Sequence, residues 1–205
     1  MEQKGILTVI SGFSGAGKGT VVKKLVEEYK YSLSVSATTR QKREGEEHGR
    51  EYFFLTKAEF ESMIEQYGLI EWAEYVGNYY GTPKSYVEDC LAEGKDVILE
   101  IELQGAMKVR SQFPDALLLF LAPPSIAELK KRLIGRGTET MKVVEERMQR
   151  AREEGRYMEQ YDYLVVNDDL GACVEQVHGV IQAAKLRTAR NLELISRLQE
   201  ELIQY

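Results

Sequence analysis

The chain has 205 residues, 43% hydrophobic and 29% charged, with a formal net charge of −6. That length suits one domain with an inserted subdomain and a substantial core, and the acidic balance excludes a general nucleic-acid surface, which needs an extended basic face. Cys90 and Cys173 stand in no metal-ligand spacing, no signal peptide is visible, and the longest apolar run, Ala116 to Pro124, is far too short to cross a bilayer, so a cytoplasmic protein with reduced thiols and no membrane partner is expected.

The first apolar run, Ile6–Ile10, predicts a strand buried on both faces. After it come Gly12, Phe13, Ser14, Gly15, Ala16, Gly17, Lys18, Gly19 and Thr20, and then a helical pattern over 18–30 carrying Val21, Val22, Leu25 and Val26. Glycines that accept positive φ let backbone N–H groups converge on an anion, the helix N-terminus adds partial positive charge, and Lys18 adds a full one. The segment is therefore a candidate loop for the phosphates of a nucleoside triphosphate. Gly19 stands where Ser or Thr usually reaches magnesium, which leaves Thr20 as the nearest hydroxyl for the metal.

Further apolar runs follow at Leu33–Val35, Val97–Ile101, Leu117–Leu121 and Tyr163–Val166, with helical patterns over 83–93, 104–112, 125–135, 141–158 and 171–203. The alternation predicts an α/β fold, a doubly wound five-stranded parallel sheet with its functional residues at the carboxyl ends of the strands. Residues 38–88 interrupt it. Glu51–Leu55 and Leu69–Val76 are rich in aromatic and β-branched residues, and the turn-rich stretch Gly77 to Pro83 follows, so this part is expected to be a small mixed β/α insertion dividing a core of about 1–37 and 89–187. Beyond about 187, Leu192, Ile195, Leu198 and Leu202 form a helical stripe that either packs back on the core or meets another subunit in a homo-oligomer.

Within the insertion, Arg40 and Arg43 follow the second strand, where two guanidinium forks can clamp a second phosphate and Tyr52 and Tyr80 can add O–H donors. The competing reading is an ordinary solvated loop of Lys42, Arg43, Glu44, Glu46 and Glu47. Glu100 and Glu102 project to one face if the chain is still extended there.

Taken together, Thr38-Thr39-Arg40-x-x-Arg43-x-Gly45-Glu46, Ile70-Glu71-Trp72-Ala73, Gly77-Asn78-Tyr79-Tyr80-Gly81-Thr82, Leu99-Glu100-Ile101-Glu102-x-Gln104-Gly105, Ala122-Pro123-Pro124-Ser125, Arg132-Leu133-x-Gly135-Arg136-Gly137 and Val166-Asn167-Asp168-Asp169 resemble the guanylate kinase family in order, over about residues 5–187. The resemblance implies transfer of the ATP γ-phosphoryl group to GMP or dGMP, giving ADP and GDP, with Mg2+ as cofactor. It implies a GMP-binding insertion at about 38–88 and an arginine-bearing lid at about 135–150. Lys18, Arg40, Arg132, Arg136 and Arg147 match catalytic positions. Arg40, Arg43, Tyr52 and Tyr80 match the clamp on the GMP phosphate, and Ser36, Glu71 and Thr82 match the guanine-reading groups. Glu102 falls at the GMP site, Thr20 and Glu100 at the metal, and Asn167 near adenine. Many relatives carry Asp at one or both of the paired acidic positions and proline where Lys42 stands, so this loop is less rigid ahead of Arg43. Chemistry supports Glu71 independently: guanine offers N1–H and N2–H2 as adjacent donors that one carboxylate accepts, whereas adenine lacks the N1–H. Only two histidines occur, His48 and His178, and none is needed as a base, because a phosphate monoester with a second pKa near about 6 is already mostly dianionic at neutral pH.

Overall fold

Alternation along the first strand, Leu7–Gly12 (β1), sends Ile10 to one face of a sheet and Leu7 and Val9 to the other, and all three are buried. The computed structural model describes residues 4–75, 77–135 and 140–204, so Val76, Arg136 and Gly137 of the sequence motifs lie outside the described residues. After β1 come α1 (Lys18–Tyr29), β2 (Ser32–Leu33), β3 (Ala37–Thr38), β4 (Phe53–Phe54), α2 (Lys57–Glu65), β5 (Leu69–Tyr75), β6 (Asn78–Pro83), α3 (Lys84–Ala92) and β7 (Val97–Glu100). The second half adds α4 (Leu103–Gln112), β8 (Leu117–Ala122), α5 (Ile126–Gly135), α6 (Met141–Glu154), β9 (Tyr163–Val166), α7 (Leu170–Lys185) and α8 (Leu192–Leu202).

Five strands in the order β2-β7-β1-β8-β9 pair in parallel throughout. Ile10, Ile98, Leu117, Leu119 and Leu121 pack with Val21, Leu25, Val174, Val177 and Ile181 of α1 and α7 on one face. On the other, Leu7, Val9, Val97, Leu99 and Leu118 meet Val87, Ala106 and Val109 of α3 and α4, while Phe120 meets Leu129, Leu133, Val144 and Ala151 of α5 and α6. Burial on both faces explains why the central strands read as unbroken apolar runs. The edges differ from that expectation. Strand β2 is only two residues long with Leu33 exposed, and β9 buries only Val165, because an edge strand is not covered all round.

The insertion holds a mixed four-stranded sheet, β4-β3-β6-β5, in which β3 pairs parallel with β4 and antiparallel with β6. Its helix α2 starts at a capping box: the Thr56 hydroxyl accepts from the Glu59 N–H while the Glu59 carboxylate accepts from the Thr56 N–H. Phe60 of α2 is buried against Ala37 and Leu69.

The expected helix over 171–203 is corrected to two helices. Asn191 donates its side-chain amide to the carbonyls of Lys185 and Arg187, and Arg190 donates to those of Lys4 and Gly5 and pairs with Asp115. These contacts close α7 and fix a three-residue 3-10 turn, Thr188–Arg190, before the chain restarts as α8. No residue of α8 is buried, so the stripe with Leu192, Leu198 and Leu202 is not core. A cavity of about 870 Å3 between α8 and Gly5, Phe113 and Pro114 lies at the amino-terminal edge of the sheet, away from the strand ends described next.

Candidate active site

The loops at the carboxyl ends of β1, β7, β8 and β9 meet over one edge of the sheet, the position where open α/β sheets bind ligands. The loop after β1 needs glycine for two separable reasons. At Gly12 a Cβ would lie 2.1 Å from the Leu121 carbonyl oxygen, so only glycine lets β1 and β8 stay paired there. At Gly17, the N-cap of α1, φ is 91° and a Cβ would stand 2.4 Å from Asn167 Nδ2. Phe13 is buried edge-on to Phe120 with ring centroids 5.0 Å apart, and Ala16 is fully buried, so both serve the loop by anchoring its backbone. Lys18 folds its ammonium over the loop, donating to the carbonyls of Gly12 at 2.6 Å and Phe13 at 3.2 Å.

Three predicted residues converge on this loop from elsewhere in the chain. Arg147 of α6 donates to Ser14 Oγ at 2.7 Å. Arg132 of α5 is held by Glu128 and donates to the Asn167 carbonyl at 3.0 Å. Asn167 turns its own amide inward and donates to the Ala16 carbonyl at 2.8 Å. That bond makes Asn167 a strut beneath the loop, a role beyond the adenine contact expected from sequence.

Glu100 closes β7 with its carboxylate oxygens 3.7 and 3.8 Å from where a Cβ on Gly19 would stand, over the first turn of α1 that also carries Thr20. The carboxylate opens to solvent but lies in a cleft, and desolvation there raises its pKa while the Lys18 charge lowers it. A hydroxyl and a carboxylate are hard oxygen donors of the kind magnesium takes while keeping several waters, so Thr20 and Glu100 fit that ion. Glu102 is the N-cap of α4.

The insertion assembles a second cluster. The Arg40 guanidinium lies 5.4 Å from the Tyr52 ring centroid and 5.7 Å from that of Phe54, and Tyr52 meets Tyr80 edge-on at 6.0 Å. Glu46, to which the sequence reading gave no role, accepts from Arg40 Nη2 at 2.8 and 3.0 Å and from the Arg43 N–H at 2.8 Å. The Arg40 hydrogen bond, then that from the Arg43 backbone, holds the Glu46 carboxyl below its ordinary range. Arg43 itself is exposed; its backbone N–H joins this cluster, and its charge adds a smaller downward push on the Glu46 carboxyl. Deeper in, Thr82 donates its hydroxyl to Glu71 Oε1 at 2.8 Å. Burial raises the Glu71 pKa, opposed by the Thr82 bond and the Lys108 charge, and Glu102 adds a smaller push upward. Ser36, Tyr52, Thr82 and Glu100 line a cavity of about 190 Å3 that joins this cluster to the end of β7.

The glycine-rich loop after β1 is thus accompanied by a second cluster with an arginine, two phenols and a half-buried carboxylate. The guanylate kinase family model matches residues 4–184. The chain belongs to the guanylate kinase family. It is 51% identical over 192 residues to the guanylate kinase of Bacillus subtilis (strain 168), covering 93% of this chain and 94% of that protein. It is 50% identical over 204 residues to that of Enterococcus faecalis (strain ATCC 700802 / V583), covering 98% and 100%. The crystal structure of guanylate kinase from Anaplasma phagocytophilum superposes with a TM-score of 0.71 at 31% identity, covering 93% of this chain and 91% of that one. The guanylate kinase relationship accounts for the α/β architecture of a five-stranded parallel sheet plus a mixed four-stranded one.

Proposed function

We infer that the chain is an ATP:GMP phosphotransferase, giving ADP and GDP. The observation that carries this is the half-buried Glu71 carboxylate, held by Thr82 in the insertion that also forms the Arg40, Tyr52 and Tyr80 cluster. Two anion sites, one of them in the same insertion as a base reader, suit a reaction that joins two nucleotides.

In this reading the backbone of residues 12–20 and Lys18 hold the ATP phosphates, and Asn167 lies toward the adenine end. Arg40, Arg43, Tyr52 and Tyr80 hold the GMP phosphate, while Ser36, Glu71 and Thr82 read guanine. The GMP phosphate attacks as a dianion without a base, so the work of the protein is alignment and neutralisation of charge on the transferring group. Lys18, Arg132 and Arg147 supply that charge, joined by Arg136 of the lid proposed at about 135–150. Magnesium, held by Thr20 and Glu100 with Glu102 nearby, supplies Lewis-acid neutralisation of the phosphate oxygens when bound.

Among the described residues no helix is long and apolar enough to cross a membrane. The exposed Leu192, Leu198 and Leu202 support self-association through α8, and truncation after residue 187 should lower the sedimentation coefficient to that of a monomer. The activity is tested by ADP release with ATP and GMP. Lys18→Ala should lower kcat by about 10³-fold while the protein stays folded, and near-normal turnover would remove Lys18 from the mechanism.

A further inference from the structure

The sheet of the insertion departs from regular pairing where its acidic residue sits. Strand β5 runs antiparallel to β6 with Leu69 opposite Pro83 and Trp72 opposite Gly81, so Ile70 and Glu71 together stand against the single residue Thr82. This is a β-bulge, an extra residue on one strand that interrupts the ladder and re-aims the side chain it carries. In an unbroken strand, successive side chains point to opposite faces. Here Ile70 lies in the core cluster with Ala106 and Val109 of α4, and Glu71 Cγ lies 3.4 Å from where a Cβ on Gly105 of the same helix would stand. Both consecutive residues are therefore turned toward α4, and Thr82 opposite them donates to Glu71 Oε1.

A bulge leaves backbone groups that the ladder does not pair, and α4 supplies partners for the carbonyls that flank Glu71. Gln112 donates its side-chain amide to the Ile70 carbonyl at 2.7 Å. Lys108 donates to the Trp72 carbonyl at 3.3 Å, with its ammonium 5.9 Å from the Trp72 ring centroid. Gly105, Lys108 and Gln112 are three and four residues apart, which puts them on one face of the helix. That face holds the strand on either side of Glu71 and leaves, at Gly105, the room its side chain occupies. Helix α4 follows β7 of the parallel sheet, whereas β5 belongs to the insertion. The two ties therefore fix the acidic residue of the insertion relative to the strand end that carries Glu100.

We propose that Gln112 is a positioning residue for guanine recognition, acting through the Ile70 carbonyl to hold the bulge and with it the aim of Glu71. Lys108, with the longer bond, is the second tie. This rests on the reading of Glu71 as the group that accepts from guanine. Gln112 does not touch substrate; it sets the direction from which the carboxylate meets the base.

The test is steady-state ADP release at varied GMP and at varied ATP on the full-length chain, with thermal unfolding of every variant. Gln112→Leu keeps bulk and helix propensity and removes the donor. It should raise KM for GMP about tenfold, with kcat within about threefold and KM for ATP within about twofold, the pattern of binding lost away from the reacting atoms. Gln112→Lys, which keeps a donor on a long chain, should bring KM for GMP back to within about threefold of wild type. Gln112→Glu, which turns an acceptor toward the carbonyl, should be no better than Gln112→Leu. In a Glu71→Gln background, Gln112→Leu should alter kcat/KM for GMP by less than about twofold, since its route of action has been removed. The proposal is overturned by a folded Gln112→Leu with KM for GMP within about twofold of wild type, by equal rises in both KM values, or by an equal loss with and without Glu71. Should Gln112→Leu unfold, the comparison of Gln112→Lys with Gln112→Glu carries the same decision. A Glu71→Gln enzyme with unchanged kcat/KM for GMP would overturn the base-reading assignment and this proposal with it. Loss of GMP use in Glu71→Gln beside an indifferent Gln112→Leu overturns this proposal alone.

Discussion

Replacing Glu71 by Gln tests base recognition with a change of one atom. Thr82 already donates to Oε1 at 2.8 Å, so the carboxylate presents its remaining lone pairs to the two adjacent donors of guanine. Glutamine keeps one carbonyl acceptor but turns an N–H2 toward a base N–H. One charge-assisted hydrogen bond, about 1.5–3 kcal/mol, is lost and a buried donor is left unsatisfied at about 1–3 kcal/mol. The sum corresponds to a fall of about 10²- to 10⁴-fold in kcat/KM for GMP. The KM for ATP should stay within about twofold, because the loop of residues 12–20 does not contact Glu71 in this account. The assay is coupled ADP release at varied GMP, with circular dichroism confirming the fold. A folded Glu71→Gln enzyme with kcat/KM for GMP within about threefold of wild type would refute the assignment.

The same substitution has a pH signature. Burial raises the Glu71 pKa above its ordinary 4.5, so its contribution to stability is full below that value and is lost as pH rises through the folded value; Lys108 and Glu102 face the group and modulate the size. Urea unfolding should show Glu71→Gln gaining on wild type between pH 4.5 and neutrality, and a gap independent of pH would contradict the burial argument. Asn167→Ala should cost about 1–3 kcal/mol in urea unfolding, because the buried Ala16 carbonyl loses its donor, and a loss below about 0.5 kcal/mol would show that the strut is idle. Arg40→Ala should raise KM for GMP at least about tenfold by removing a charged donor to phosphate, and an unchanged KM would take Arg40 out of the clamp.

Much of the architecture is legible in the sequence because central parallel strands buried on both faces leave unbroken apolar runs such as Leu117–Leu121. The edges are less legible: Leu164 and Val166 are as apolar as core residues yet exposed, since edge position is set by strand order and not by composition. Helix α2 had a readable start in Thr56 and Glu59, a capping box that falls among short strands and is easily passed over. The break between α7 and α8 depends on Arg190 reaching Lys4 and Gly5, contacts across nearly the whole chain that no local pattern contains. At the site, glycine spacing and Lys18 mark the proposed donor loop, and the motif order carries Arg40, Glu71 and Thr82. Glu46 was hidden because it resembles an ordinary solvated acid until the fold places it against Arg40.

The central claim is that a phosphate loop and a guanine-reading pocket serve one reaction. It is tested most directly by measuring ADP release from ATP with GMP, AMP, UMP and dTMP offered in turn to the same preparation. Turnover with GMP that exceeds the others by orders of magnitude is the predicted result. Comparable turnover with AMP, or none with GMP, would contradict it.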